Sequence, residues 1–378
     1  MTARKFAALI LAAGYSSRMK AFKPLLPLGD ATVLEQAARP FLLDDKIETL
    51  VVTGCRAGEL RPVLKRNGLG EVFNPEFDRG MFSSVKAGVK ALPRGTAAFF
   101  VLPVDIPLAR PFTIGKLLKK FEEEAPRLIY PTFRGRAGHP PLIAADLAGP
   151  ILAWNGDGGL KGALASFRDE ALYLETPDRN ILFDMDQPDE YQAMLDRWSR
   201  RGRPTREEAA MILESAGLPP PALGHCRATA RLAEGLALAL NRTGPPTLDL
   251  DLIHAAALLH DLGKGRPNHA QAGAARLDEM GFFEIAPLVK SHSDPVLELA
   301  DEVTALEVIY LADKMLMGEE IVPPVERFLA AVNKGGLDQV RKKAYDDRLA
   351  AAQKITARLE ARLGVALAEV IKGLLAAG

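Results

Sequence analysis

An α/β domain on a doubly wound, mostly parallel sheet, followed by an all-α domain, is the fold class this sequence predicts. Three observations carry it. Short, continuous apolar runs alternate with helix-like stretches over roughly the first 190 residues, as expected of strands covered on both faces. The strand signal then stops. From residue 207 onward apolar residues recur at helical spacing almost to the end, the mark of packed amphipathic helices.

The elements follow in order. Phe6 to Leu11 reads as a buried strand and residues 32–43 as a helix. Glu48 to Thr53, Ala97 to Leu102 and Leu128 to Thr132 read as further strands. Such alternation implies a mostly parallel sheet with helices on both faces. Residues 196–206 (DRWSRRGRPTR) are polar, basic and interrupted by Gly202 and Pro204. We therefore expect a first domain over 1–196, a linker over 197–206 and a helical domain over 207–378. Thr205 followed by Glu207 and Glu208 marks a helix start. Pro219 to Pro221 and Gly244 to Pro246 separate later helices, and residues 345–376 read as one closing amphipathic helix with Gly364 as its weak point.

Composition narrows the function classes. A chain of 378 residues predicts two or three domains. Lys plus Arg equals Asp plus Glu, 48 against 48, so bulk charge selects neither nucleic acid nor an anionic membrane as partner. A small anion in a local basic pocket stays compatible. Cys55 and Cys226 are the two cysteines, too few for a disulfide framework or a cysteine zinc cage, and a reducing cytoplasm fits. The apolar run near the start is brief and is followed by Gly, Ser and Arg. It reads as a strand rather than a signal peptide. No apolar run approaches the roughly 18 residues of a membrane span.

Two segments of the first domain carry chemistry. In LILAAGYSSRMKAFKPLLPLG (9–29) a buried strand enters a loop holding Gly14, Ser16 and Ser17, followed by Arg18 and Lys23. Small residues let backbone N–H groups approach a phosphate. Arg18 offers a fork for phosphate oxygens and Lys23 a point charge. A plain turn with two solvated cations is the alternative. The segment matches neither the Walker loop nor the dinucleotide glycine pattern. In VLPVDIPL, Asp105 follows the carboxyl end of a strand, the edge where open α/β sheets bind ligands. It can hold Mg²⁺ against substrate phosphates or simply cap the next helix.

With these residues in place, the first domain resembles the nucleotidyltransferase family that contains the molybdenum cofactor cytidylyltransferases. NPEFDRGMFSSVKAG (74–88), GHPPLI (138–143), GDGGLKGAL (156–164) and DMDQPDEY (184–191) agree with it in order and spacing, so the resemblance spans residues 5–195. It implies that Ala12, Ala13, Gly14, Arg18 and Lys23 hold a nucleoside triphosphate and that Asp105 binds Mg²⁺. Arg18, Lys23 and Asp105 would carry the catalysis. Gly80, Ser83 and Ser84 would line the nucleotide pocket, and Gly138, His139 and Pro140 would face the second substrate. Asp186, with Asp184, falls where the family places a second metal-site residue; a solvated loop is the alternative. One departure stands out: Lys20 occupies a position the family gives to glycine. The implied reaction is attack by a phosphate on the α-phosphorus of the triphosphate, with release of pyrophosphate. The Ala-Ala-Gly loop resembles the cytidylyl branch, which implies CTP and a molybdopterin-type acceptor.

Five of the six histidines lie after residue 224. In LIHAAALLHDLGKG (252–265), His260 and Asp261 end an apolar helical stretch. Mixed N/O donors of this kind suit Mn, Fe, Ni, Co or Mg; a helix C-terminus capped by Gly263 is the alternative. His225 opens an amphipathic helix upstream, and Asp313 sits in VIYLADKM downstream. The order His, His-Asp, Asp, centred on HDLGK, resembles the HD superfamily of metal-dependent phosphohydrolases over residues 205–330. It implies His225, His260, Asp261 and Asp313 as ligands of one divalent metal, Lys264 as a phosphate contact and Asp261 as the group that orients or deprotonates water. His292, and less strongly His269, would extend the site to two metals. His254 lies on a different helical face, and Cys226 reads as a small buried residue.

The leading expectation is a bifunctional enzyme. One alternative is a sugar-phosphate nucleotidyltransferase with a regulatory, nucleotide-sensing HD domain. Another is a non-catalytic scaffold that delivers the molybdenum cofactor to an apo molybdoenzyme.

Overall fold

β1 (Lys5–Ala12) shows why its run of apolar residues is continuous. Phe6, Ala8 and Ile10 enter one hydrophobic core, while Ala7, Leu9 and Leu11 enter another on the opposite face of the sheet. A computed structural model describes residues 5–244, 247–293, 302–333 and 339–377. The chain divides into two compact units, Met1–Arg200 and Arg201–Gly378. The break read at Pro245 and Pro246 lies outside the described residues.

In the first unit β1 leads through a short hairpin, β2 (Pro27–Leu28) and β3 (Ala31–Thr32), into α1 (Val33–Ala38). Thr32 and Glu35 form a capping box at its start. The helix is half the expected length, because Pro40 cannot donate to a continuing turn. There follow β4 (Ile47–Thr53), α2 (Ala57–Arg66), β5 (Gly70–Phe73), α3 (Met81–Lys90), β6 (Thr96–Pro103) and α4 (Pro111–Glu124). Then come β7 (Leu128–Phe133), β8 (Arg136–Ala137), β9 (Leu142–Ala144), α5 (Ala148–Ala153), α6 (Gly159–Ala163), β10 (Leu172–Glu175) and α7 (Pro188–Ser199). The sheet order is β10-β7-β9-β6-β1-β4-β5, with β8 beside β7. β1 pairs in parallel with both β4 and β6, whereas β9 runs antiparallel between β6 and β7. Strand order therefore reverses at β1 and β6, and the crevice beyond their carboxyl ends is the switch point where such sheets bind ligands.

The second unit comprises α8 (Arg206–Glu214), α9 (Pro220–Arg242), α10 (Leu250–Leu259), α11 (His269–Glu279), α12 (Ala286–Ser291) and α13 (Ala305–Lys314). A hairpin, β11 (Leu316–Met317) with β12 (Glu320–Ile321), precedes α14 (Pro324–Asn333), α15 (Gln339–Leu363) and α16 (Leu367–Ala377). The unit is helical apart from this hairpin, which two-residue strands made invisible to periodicity. Two boundaries need correction. Residues 197–199, expected in the linker, are the last turn of α7. The expected closing helix is two helices, because Gly364 takes φ +73° and ends the first of them. No helix among the described residues is long and apolar enough to cross a membrane.

The loop after β1 explains the departure at position 20. Lys20 sits at φ 57°, ψ 9°, in the left-handed region that glycine enters freely. A Cβ there costs about 1 kcal/mol. Lys20→Gly is therefore expected to raise unfolding free energy by up to about 1 kcal/mol; a drop in chemical-denaturation midpoint would contradict this loop geometry.

Candidate functional site

The front crevice is assembled by backbone contacts between strand ends. The Val104 N–H donates to Leu11 O at 3.1 Å, and the Cys55 N–H donates to Ala13 O at 3.0 Å. A Cβ on Gly54 would meet Phe77 Cβ at 2.6 Å and Ala13 Cβ at 2.9 Å, so only glycine lets these segments close. The Met185 N–H donates to Asp105 O at 3.1 Å, which draws the loop carrying Asp186 to the end of β6.

The result is a cleft of about 290 Å³. Ala12, Ala13, Gly14, Lys23, Asp105 and Asp186 line it, with Gly80 and Ser84 on the facing side. Lys23 Nζ lies 2.5 Å from Asp186 Oδ1 and 3.7 Å from Asp105 Oδ2. Arg18 Nη1 reaches Asp186 Oδ2 at 2.5 Å from an exposed position. Burial pushes the Asp105 carboxyl above its usual range, and Lys23 opposes this. The hydrogen bond from Lys23 holds Asp186 below the usual range, with burial opposing.

Not every expected residue joins this cleft. Ser83 is absent from its lining; its hydroxyl donates to Glu76 O or Gly80 O, both 2.8 Å away, and is tied up in the loop before α3. Gly138, His139 and Pro140 lie outside the lining, between β8 and β9, where the His139 N–H donates to Ile181 O at 2.9 Å. Burial holds the His139 imidazole below its ordinary range. Asp184 is exposed and also outside the lining. Tyr15, Phe77 and Met81 do line the cleft and were not anticipated. Their signal was an aromatic inside the glycine loop and another just before Gly80.

In the rear unit, helix ends converge. His225 lies on α9, His260 and Asp261 follow α10, His292 follows α12 and Asp313 lies on α13. All five are buried. Gly263 permits the turn after Asp261: a Cβ there would stand 2.1 Å from His269 O, so α11 can rest on the turn only against glycine. That packing brings His269 Nε2 to 3.6 Å from Asp261 Oδ1, and His292 Nε2 lies 3.8 Å from the same oxygen. His269, the weaker candidate from sequence, is thus as near Asp261 as His292. The close Gly263–Gly273 approach was the signal that placed it. His254 instead pairs with Glu234 at 2.9 Å, away from the cluster.

Three imidazoles share one orientation. Their Nδ1–H groups donate to backbone carbonyls: His225 to Gly318 at 3.0 Å, His260 to Ala257 at 2.7 Å and His292 to Val289 at 2.6 Å. The β11–β12 turn exists in part to supply the first of these. In His260 and His292, which burial holds neutral, Nε2 then points inward as a lone pair, the arrangement that prepares histidine for a metal. His225 Nε2 lies 3.0 Å from Asp313 Oδ1, within hydrogen-bonding distance. His260 Nε2 is buried with no hydrogen-bond partner and lies 3.7 Å from both Asp261 Oδ2 and Asp313 Oδ1. A shared proton or a cation resolves such contacts. Two donor groups have the proximity a metal needs, His225–His260–Asp313 and His260–Asp261–His292.

Charge around the cluster is basic. Lys264 Nζ reaches Asp261 Oδ2 at 2.5 Å; Lys314 Nζ lies 2.6 Å from Asp313 Oδ2 and Arg327 lies 3.3 Å from Oδ1. Burial opposes ionisation of Asp313, but Lys314 and the neighbouring histidines hold it well below the usual carboxylate range. Burial pushes His260 down, and takes His292 from 6.5 to about 4. It also drives the Cys226 thiol up to about 12, which keeps it protonated.

The His292 shift sets a pH dependence. The unfolded imidazole binds its proton first as pH falls, so stability is full above pH 6.5 and declines down to about pH 4. In metal-free protein the unfolding midpoint of the rear unit is expected to drop across this window. His292→Gln should flatten the decline; an unchanged slope would contradict the buried neutral imidazole.

Comparison with known proteins agrees with both units. The MobA-like NTP transferase domain family matches residues 8–172, and the HD domain family matches residues 222–318. Over 192 residues the chain is 27% identical to the molybdenum cofactor cytidylyltransferase of Escherichia coli K12, covering 50% of this chain and 96% of that protein. It is 31% identical over 131 residues to an uncharacterized protein of Methanocaldococcus jannaschii, covering 33% of this chain and 75% of the relative. Among solved structures, a nucleotidyl transferase from Methanothermobacter is similar with a TM-score of 0.45 and 25% identity, over 52% of this chain and 99% of that one. The chain belongs to the MobA-like NTP transferase family through its first unit, and joins to it, in the same polypeptide, an HD domain.

Proposed function

We propose that the front unit transfers CMP from CTP to the terminal phosphate of a molybdopterin-type acceptor, and that the rear unit is a metal-dependent phosphohydrolase, the two divided by the short segment between α7 and α8. The observation that carries the first half is the position of Lys23. Its ammonium stands between Asp105 and Asp186 at the switch point of the sheet, so cation and carboxylates share the place where a triphosphate enters.

An acceptor phosphate oxygen bonds to the α-phosphorus, the bond from that phosphorus to its β-bridging oxygen breaks, and pyrophosphate leaves with the electron pair. The chemistry needs alignment and charge neutralisation rather than a covalent nucleophile. Arg18 and Lys23 hold the phosphates, and small loop residues Ala12, Ala13 and Gly14 admit backbone N–H groups to them. Asp105 and Asp186 fit Mg²⁺, since a desolvated carboxylate beside a second one is stabilised by a divalent cation. When bound, Mg²⁺ would neutralise charge on the phosphates.

In the rear unit His225, His260, Asp261 and Asp313 would hold one divalent metal. Asp261 Oδ1 faces His269 and His292 while Oδ2 faces His260, so His269 and His292 would, with Asp261, hold a second metal. Bound metal would supply an acidified water and charge neutralisation. Lys264 is placed to take a phosphate oxygen when it leaves Asp261.

The test is pyrophosphate release from each of the four nucleoside triphosphates with molybdopterin as acceptor. CTP is expected to be the best donor, and Lys23→Ala to lower kcat/KM by about 10² or more. Turnover with a sugar 1-phosphate but none with molybdopterin would overturn the acceptor assignment. Asp261→Ala is expected to leave this transfer intact while abolishing Mn²⁺-dependent hydrolysis of p-nitrophenyl phosphate; loss of both activities together would contradict the assignment of one chemistry to each unit.

A further inference from the structure

We infer that the rear cavity takes a nucleotide whose phosphates are joined by a pyrophosphate bond, and cleaves that bond. This deepens, and rests on, the phosphohydrolase reading of the same site. The cavity is about 700 Å³, far more than one phosphate fills. Lys264, Arg266, Lys290, Lys314, Arg327 and Arg348 line it against two carboxylates, Asp261 and Asp313. Lys264, Lys314 and Arg327 are engaged with those carboxylates. Arg266 and Lys290 are exposed and form no ion pair among the described residues.

A single phosphomonoester brings about two negative charges. Together with Asp261 and Asp313, these would be offset at the histidine cluster by a bound divalent metal with Lys264, Lys314 and Arg327. Arg266, on the turn after Asp261, and Lys290, on α12, are then left over, and a second phosphate linked to the first is the ligand that uses them. A larger surplus of unpaired cations in one cavity is otherwise a cost in self-repulsion.

The remainder of the ligand is read from the adjoining groove. Pro219, Pro221, Ala222, Leu316, Met317 and Ala330 form an apolar surface that shares His225, Lys264 and Arg327 with the cavity. Met317 is 41% exposed there. An apolar strip that begins where the phosphates end suits a flat, weakly polar ring such as a nucleobase. Inorganic pyrophosphate would leave it empty. In the hydrolysis, a water oxygen bonds to one phosphorus and the bond from that phosphorus to the bridging oxygen breaks. The electron pair stays on the bridging oxygen, which departs with the second phosphate; one water proton remains on the new phosphate and the other passes to solvent or to the leaving group. Two phosphomonoesters result, and no redox partner is needed. Such a bond is also what the proposed front reaction makes, so the rear unit would consume products of that chemical class.

The test uses the full chain carrying Lys23→Ala and Asp105→Ala, which silences the front cleft, loaded with Mn²⁺. Calorimetry compares a methylene-bridged nucleoside diphosphate, the nucleoside monophosphate and methylenediphosphonate. The bridged nucleotide is expected to bind at least about tenfold tighter than either of the others. Arg266→Ala with Lys290→Ala should reduce it to the level of the monophosphate, and Met317→Asp to the level of methylenediphosphonate, with metal content unchanged in both. Equal affinity for the monophosphate, or for methylenediphosphonate, would overturn the inference. So would a chain that retains metal and cleaves p-nitrophenyl phosphate yet binds none of the three, which leaves the phosphohydrolase reading standing. A chain that neither retains metal nor cleaves any ester sinks both.

Discussion

A ring nitrogen buried without a hydrogen-bond partner, set between two carboxylates, is the constraint around which the rear unit is built. With Nδ1–H committed to a carbonyl, His225 Nε2 meets Asp313 at 3.0 Å, and His260 Nε2 is buried without a partner. An unsatisfied buried polar atom costs about 1–3 kcal/mol, and a fold retains one beside two carboxylates only where something offsets that cost. The surroundings serve that arrangement. Helix ends on α10 and α12 supply carbonyls that orient two rings, the β11–β12 turn orients a third, and Gly263 lets α11 close over Asp261.

The front unit meets a related problem with a different solution. Asp105 is desolvated at the end of β6, and Lys23 together with Asp186 completes its surroundings. Here the cation is already a side chain, so the cleft is balanced before any ligand arrives. Asp186 occupies both Arg18 and Lys23. In the reaction we propose, a triphosphate would take these cations over, and the carboxylate would then be free to serve a metal.

Much of this was legible in the sequence, for identifiable reasons. β1 and β6 are buried on both faces, so their apolar runs are continuous and stand out. β5 and β10 alternate between half-buried and exposed over four residues each, too short a pattern to register. His260, Asp261 and Asp313 were findable because buried charged groups are rare inside apolar helices. His269 ranked low because its approach to Asp261 depends on two glycines packing against each other, a tertiary fact with no local period. The roles given to Ser83 and to residues 138–140 came from resemblance alone; the Ser83 hydroxyl is tied to the loop before α3, and residues 138–140, expected on the second-substrate side, lie outside the cleft lining. Tyr15 and Phe77 line the cleft through loop packing, which leaves no period or charge pattern in the sequence.

We propose that the unpartnered Nε2 of His260 and the donors around it hold metal, independently of the front cleft. Elemental analysis of the full chain after Mn²⁺ loading and exhaustive dialysis tests it most directly, with His260→Ala beside the parent. The account predicts that the parent retains about two equivalents and that His260→Ala loses them while its pyrophosphate release from CTP is unchanged. Equal metal retention in the two proteins would contradict it.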